Sequence, residues 1–324
     1  MPITELHLAG AYGIKEILAY NRDQLSRGWN YPQFFPLWKA CPNVQLFDAA
    51  EREPNPEAAL LVINLNAKTW EQVAPRFDRY TRRTLLQLEA YQGWEQAYDL
   101  AARFDDFMNF DTVRGQAHLG FRRIYIPYNP KLASSHRDQR GWDAWLTLWR
   151  FSKHRFANAL IRKILPRRKK AVMIAALGTE DRYQIRLRMA RRWAACVDVY
   201  GRGWPKDLPN YRGVCINKLD ILRQYRFALV FENQPQPGYV TEKLLDPFVA
   251  GTVPLYHGAP DANQDLPEGL FLPFDETTDC LDRWIKDDAL YQQLRTEILQ
   301  KREAALAVYA PERLMQTISE MFGG

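Results

Sequence analysis

Short, almost uninterrupted apolar runs recur along this chain, separated by stretches whose apolar residues fall at helical spacing. In the first half the runs are LLVINL (60–65), TLLQLE (84–89), DFMNF (106–110) and RIYIPY (123–128). In the second half they are AVMIAAL (171–177), VDVY (197–200), FALVFEN (227–233), TVPLYH (252–257) and LFLPF (270–274). Runs this continuous lack the alternation of a half-exposed strand. They predict parallel strands buried on both faces, with the intervening helices covering the sheets. Pro166, followed by Arg167, Arg168, Lys169 and Lys170, is the clearest seam. The pattern therefore predicts an α/β protein of two doubly wound, Rossmann-like domains, 1–160 and 161–324, facing each other across a cleft. Ligands of such sheets bind outside the carboxyl ends of the strands, so polar residues there are the first candidates for chemistry.

Composition narrows the class. The 324 residues suit two domains, and 47% hydrophobic with 13% aromatic residues excludes a disordered chain. No window approaches the roughly 18 consecutive apolar residues of a membrane-spanning helix. The first residues, with Glu5 and Lys15, do not form a basic region leading into an apolar core and are not read as a secretory signal. Cys41, Cys196, Cys215 and Cys280 are widely spaced, which predicts free thiols in a reducing compartment. The expectation is a soluble, cytoplasmic protein, with peripheral attachment to the inner membrane as a variant.

The net charge of +6 is local rather than spread. Nine basic residues and no acids lie between Arg150 and Lys170, and the rest of the chain carries −3. Trp142, Trp145, Trp149 and Phe151 lead into this segment. Two readings stand: a solvated interdomain helix with an apolar stripe, or a basic amphipathic helix on an anionic membrane surface. With no groove-reading or zinc motif beside it, the charge does not point to nucleic acid.

The most informative stretch is RFALVFENQPQPGYVTEKLLDPFVAGTVPLYHGAP (226–260). A buried strand ends in Glu232 and Asn233, a proline-rich loop follows, and a helix opens at Thr241 and stops at Gly251. Lys243 falls in the first turn, where the helix dipole disfavours a cation. A bound anion would reconcile this, because exposed N–H groups and an ammonium make a phosphate cradle; the alternative is a surface Lys–Glu pair that tolerates the dipole. Glu242 beside it could accept from ribose hydroxyls. In the helix 181–193, Ile185, Met189 and Trp193 predict the buried stripe, with Arg182 and Arg186 on a neighbouring face. An arginine near a strand's carboxyl edge can fork onto a diphosphate; a solvated arginine face is the alternative and accounts for Arg188, Arg191 and Arg192.

These residues carry a resemblance. QYRFALVFEN, YVTEK and AGTVP in one register resemble the donor-binding signature of α-1,3-fucosyltransferases, glycosyltransferase family 10. IRLRMA followed by VDVYGRG, and TLLQLEAYQGW leading to FDDFMNFD and IYIPY, are similar to two further segments of that family. The likeness is dense in the carboxyl-terminal half and thin in the amino-terminal half.

The resemblance implies a GT-B glycosyltransferase of bacterial type, with the last helix able to return to the amino-terminal, acceptor-side domain. It implies transfer of L-fucose from GDP-fucose, with inversion, to a hydroxyl of an oligosaccharide or lipid-linked glycan, α-1,3 to GlcNAc-type sugars. Glu89 then matches the general base, and Arg186 and Lys243 match residues that hold the diphosphate. Glu242 matches a ribose contact, Asn233 and Tyr239 match the donor pocket, and Glu232 is assigned to donor binding or loop support. No D-x-D triplet occurs, so no metal or cofactor beyond the donor is implied.

Leu88-Glu89-Ala90 departs from the usual sequence around the base, which leaves Glu95 and Asp99 as rivals. His257 reads as structural or pocket-lining. Aromatic residues such as Tyr91 and Trp94 could stack on sugar rings, although core is the expected place for most of them. The alternatives to fucosyl transfer are another GDP-sugar, such as GDP-mannose, or a non-catalytic, membrane-associated nucleotide-sugar binder.

Overall fold

A computed structural model describes residues 2–11, 14–23, 37–91, 93–109, 167–215, 218–309 and 311–323. The first sheet contains β1 (Glu5–Gly10), β2 (Gln45–Asp48), β3 (Ala58–Ile63), β4 (Arg82–Gln87) and β5 (Asp106–Asn109). Around it lie α1 (Ile14–Asp23), α2 (Leu37–Ala40), α3 (Ala67–Val73) and α4 (Glu95–Leu100). The second contains β6 (Arg168–Ile174), β7 (Val197–Tyr200), β8 (Tyr225–Phe231), β9 (Val253–His257) and β10 (Leu272–Pro273). Its helices are α5 (Asp181–Arg192), α6 (Lys218–Leu222), α7 (Glu242–Ala250), α8 (Leu281–Lys286) and α9 (Asp288–Val308), and α10 (Pro311–Phe322) ends the chain.

Both sheets are parallel, and both follow one plan. The orders are β2-β1-β3-β4-β5 and β10-β9-β8-β6-β7. In each, the second strand lies on one side of the first and the remaining strands on the other. The direction of winding therefore reverses between β1 and β3, and again between β6 and β8, which is where such sheets open a ligand crevice.

Apolar continuity explains the sheets. All six residues of β3 are buried. Leu61 and Ile63 join one core with Leu6 and Leu8, while Leu60 and Val62 join another with Phe77 and Tyr98. Two of the strands, β1 and β2, are absent from the sequence expectation. In β1 the polar residues Glu5 and His7 break the apolar run, yet both are buried. Arg52 donates to Glu5 at 2.6 Å, and His7 meets Glu5 at 3.1 Å and the Tyr80 hydroxyl at 3.3 Å. Burial alone would raise the Glu5 carboxyl, but the hydrogen bonds from Arg52 and His7 outweigh it and hold the group below its ordinary value.

Several strands also sit earlier than their apolar runs. β3, β4 and β8 each end two residues before the predicted limit, which leaves Asn64, Glu89 and Glu232 just beyond the strand ends. Strand β6 likewise begins at Arg168, inside the basic run. Arg167 donates to the carbonyls of Tyr225 (3.0 Å) and Ala250 (2.6 Å) and to Thr252 Oγ1 (2.8 Å). Arg168 and Lys170 pair with the buried Asp198 at 3.7 and 3.4 Å. The end of the basic segment is thus strand rather than helix, and it pairs within the domain. Residues 150–166 and the run 123–128 lie outside the described residues.

Helix α10 packs on the first sheet. Leu314, Ile318, Met321 and Phe322 share a core with Leu6, Leu37 and Met108, and Arg82 donates to the Met321 carbonyl at 3.0 Å. All four cysteines are free thiols. Among the described residues no helix is long and apolar enough to cross a membrane.

Candidate active site

The crevice of the second sheet is bolted by Arg186. The sequence placed this arginine beside a stripe of Ile185, Met189 and Trp193, but Arg186 itself is buried with Met189 and Ala190, while Ile185 and Trp193 are only partly so. Its guanidinium donates to the Ala176 carbonyl beyond β6 (2.8 Å) and to the Phe231 and Glu232 carbonyls at the end of β8 (3.4 and 3.2 Å). It also donates to Asn233 Oδ1 at 3.1 Å. Committing Oδ1 as acceptor leaves the Asn233 amide nitrogen as a donor group. Arg186 therefore holds two strand ends and one amide at the point where winding reverses.

The start of α7 resolves the Lys243 anomaly in a way the sequence did not show. The Glu232 carboxylate accepts from Thr241 N (2.8 Å), from Thr241 Oγ1 (2.7 Å) and from Lys243 Nζ (3.3 Å). Lys243 also meets Glu242 at 3.7 Å, and its side chain is 21% exposed. Thr241 is the N-cap, accepting from Lys243 N at 3.2 Å. A carboxylate at a helix start offsets the positive end of the dipole, so the fold itself supplies the anion that a cation in the first turn requires. Glu232 is thus a support of the helix start. Gly258 lets the neighbouring backbone lie against it, since a Cβ there would fall 2.7 Å from Glu232 Cγ.

Glu89 lies two residues past β4, half-buried, in a turn held from several sides. Asn64 Oδ1 accepts from Leu88 N at 2.7 Å, and Tyr98 donates to the Glu89 carbonyl at 3.1 Å. Gln236, from the opposite domain, accepts from Tyr91 N at 3.0 Å. The Tyr239 hydroxyl, also from that domain, donates to Glu89 Oε2 at 3.3 Å. The rivals sit elsewhere: Glu95 and Asp99 are exposed on α4, and Glu95 accepts from Gly93 N at 2.9 Å, which holds its carboxyl below the ordinary value.

Asn64 was not singled out from the sequence, although a polar residue closing the apolar run LLVI was a visible signal. Its φ is +57°, a left-handed conformation that asparagine tolerates better than most residues. Asn64→Ala should lose both the conformation and the acceptor, lowering stability by about 1–3 kcal/mol. Asn64→Gly should lose less, because it keeps the backbone. Urea midpoints check this, and identical midpoints for the two variants would assign the whole effect to the lost acceptor.

Between the domains lies a cleft of about 590 Å³, lined by Tyr91 from one side and by Arg182, Glu232, Asn233, Gln236 and His257 from the other, among others. Its size suits a nucleotide-sized ligand. Arg182, paired with Glu180 at 2.7 Å, is a cleft arginine, whereas Arg186 lies behind it. His257 Nδ1 meets the Phe274 carbonyl at 3.2 Å. In the neutral ring that nitrogen carries the hydrogen, so Nε2 is an acceptor.

Two facing parallel sheets of this topology have the GT-B fold, and known structures agree. A crystal structure titled α1,3-fucosyltransferase matches with TM-score 0.57 at 19% identity, over 98% of this chain and 90% of that one. Anabaena HepE, in complex with UDP-glucose, matches with TM-score 0.54 at 13% identity, over 99% of each chain. Residues 166–292 match the family model "Glycosyltransferase family 10 (fucosyltransferase) C-term".

Among curated proteins, the chain is 42% identical over 71 residues to the α-(1,3)-fucosyltransferase of Helicobacter pylori, covering 20% of this chain and 15% of that protein. It is 40% identical over 110 residues to GDP-fucose protein O-fucosyltransferase 3 of Xenopus tropicalis, covering 30% and 23%. The matched stretches thus span less than a quarter of the length of these two relatives.

Proposed function

We propose that this chain is an inverting glycosyltransferase that moves L-fucose from GDP-fucose to a hydroxyl of a glycan, α-1,3 to a GlcNAc-type sugar in an oligosaccharide or lipid-linked precursor. One observation carries the reading: Glu89 of the amino-terminal domain and Tyr239 of the YVTEK motif meet at 3.3 Å across the domain junction. The candidate base and the candidate donor motif therefore belong to one site.

In this reading the acceptor O–H proton passes to Glu89. The acceptor oxygen bonds to the anomeric carbon while the bond from that carbon to the diphosphate breaks, and the bonding pair leaves on GDP. The leaving group needs no protonation. Arg182 and Lys243 meet the charge that grows on GDP, an electrostatic role that needs fixed cations rather than a metal. Glu242 takes the ribose hydroxyls and Asn233 donates into the donor pocket. Arg186 acts at one remove, by fixing Asn233 and the strand ends.

A second acceptor reading is favoured by the likeness to a protein O-fucosyltransferase: the hydroxyl would then belong to a protein side chain. The test is GDP release from GDP-fucose in EDTA, alone, with N-acetyllactosamine and with a folded protein acceptor, using GDP-mannose as control. We expect release from GDP-fucose that accelerates with the glycan. Acceleration by the protein alone would select the second reading, and release from GDP-mannose alone would overturn the fucosyl donor.

A further inference from the structure

We propose that His257 reads the donor sugar: its Nε2 accepts a hydrogen bond from a hydroxyl of the group that is transferred. The proposal rests on the GDP-sugar reading above and names a residue that tells the sugar from bare nucleotide. His257 is the last residue of β9, and it stands beside Phe231 of β8 in the sheet. Its carbonyl accepts from Glu232 N at 2.9 Å. The backbone under the ring is thus tied to the strand end that carries Glu232 and Asn233.

The ring is held in one orientation. Nδ1 meets the Phe274 carbonyl at 3.2 Å. A carbonyl can only accept, so Nδ1 carries the hydrogen and Nε2 of the neutral ring keeps a lone pair. Phe231 and Phe274, both buried, flank the ring with centroids at 5.5 and 6.0 Å. Glu276 is engaged elsewhere, since its two oxygens accept from Arg188 at 2.6 and 3.0 Å. Among the described residues no group meets Nε2, and the ring lines the cleft.

Three acceptors on the same wall already have partners. Glu232 takes Thr241 and Lys243, Asn233 Oδ1 takes Arg186, and Gln236 Oε1 takes Tyr91 N. Asp181, the other carboxylate of the lining, is exposed in the first turn of α5. Arg182 and the Asn233 amide offer only N–H groups, which suit phosphate and carbonyl oxygens. A sugar hydroxyl brings a hydrogen of its own, and leaving it unpaired in a closed cleft costs affinity. His257 Nε2 supplies that acceptor without reorganising. The sugar, rather than the base, is the part of the donor that must come within reach of Glu89. Tyr91, two residues from Glu89, lines the same cleft as His257.

The test is calorimetric titration of the full chain, His257→Phe and His257→Gln with GDP and with GDP-fucose. Phenylalanine keeps a ring between Phe231 and Phe274 and removes both nitrogens. Glutamine gives up the ring but restores an acceptor at the reach of Nε2. We expect GDP to bind all three proteins alike. GDP-fucose should bind His257→Phe about tenfold more weakly, and His257→Gln should recover most of that loss. A GDP affinity that falls as far as that of GDP-fucose would put the contact on the nucleotide or make the role structural, and it would overturn the proposal. An equal loss in both variants would assign the effect to the ring packing or to the Phe274 contact, and would overturn it too. If the wild type binds GDP-fucose and His257→Phe binds it equally well, the proposal alone has failed. A wild type that binds neither ligand overturns the GDP-sugar reading and the proposal together.

Discussion

Glu89→Gln should lower kcat by about 10²–10⁴-fold while leaving GDP-fucose affinity nearly intact. The amide has the size of the carboxylate and can still accept from Tyr239, which donates to Oε2 at 3.3 Å, so the turn should keep its shape. What it cannot do is take a proton from the acceptor. Donor affinity should survive because the groups assigned to GDP lie on the other domain, at Arg182, Asn233, Glu242 and Lys243. Glu95→Gln and Asp99→Asn are the controls. Both residues are exposed on α4, and neither variant should slow transfer comparably. Turnover of Glu89→Gln at the wild-type rate, with Glu95→Gln impaired, would move the base to Glu95.

Asp246→Asn should cost about 3–5 kcal/mol of stability in the carboxyl-terminal domain. Asp246 is fully buried and meets Lys218 Nζ at 2.7 Å, with the lysine side chain only 14% exposed. Lys218 also donates to the Glu242 carbonyl at 3.4 Å, so the pair anchors the first turn of α7, which carries Glu242 and Lys243. Burial alone would lower the Lys218 ammonium, but the Asp246 and Glu242 carboxylates outweigh it and hold the group above its ordinary value of 10.5. A raised lysine contributes stability that is present below pH 10.5 and lost as pH rises through the folded-state value. At neutral pH the cation is therefore in place, and removing its nearest carboxylate leaves a largely buried charge without its closest partner.

The expected readout is a lower urea midpoint together with weaker GDP binding. The double variant Lys218→Met/Asp246→Leu should recover most of the stability, since replacing both charges leaves neither one buried alone. A single variant as stable as the wild type would show that the pair contributes nothing to the helix start.

Local pattern was enough for much of this molecule. Parallel strands buried on both faces need long apolar runs, and those runs are written in β3, β8 and β9. The helix limits were equally local: Thr241 caps α7 through its own hydroxyl, and Gly251, with φ +65°, takes the left-handed position at its end. The motif from 226 to 260 placed donor candidates at strand ends because a sheet's carboxyl edge is where polar residues can follow a buried run.

Local pattern failed where partners come from far along the chain. Glu5 and His7 disguised β1 because their burial depends on Arg52 and Tyr80. Arg186 read as a diphosphate ligand at the helix start, but the approach of β6 to β8 turns it inward onto carbonyls. Lys243 suggested a bound anion or a pairing with Glu242, whereas Glu232, eleven residues earlier, comes under the helix start. Glu89 could not be told from Glu95 by composition. It is distinguished by a tyrosine 150 residues away, brought to it by the closing of two domains. Periodicity and capping are properties of neighbours in the chain and can be read in one dimension. Charge compensation and the aim of a base depend on distances in three, which exist only once the two sheets have packed.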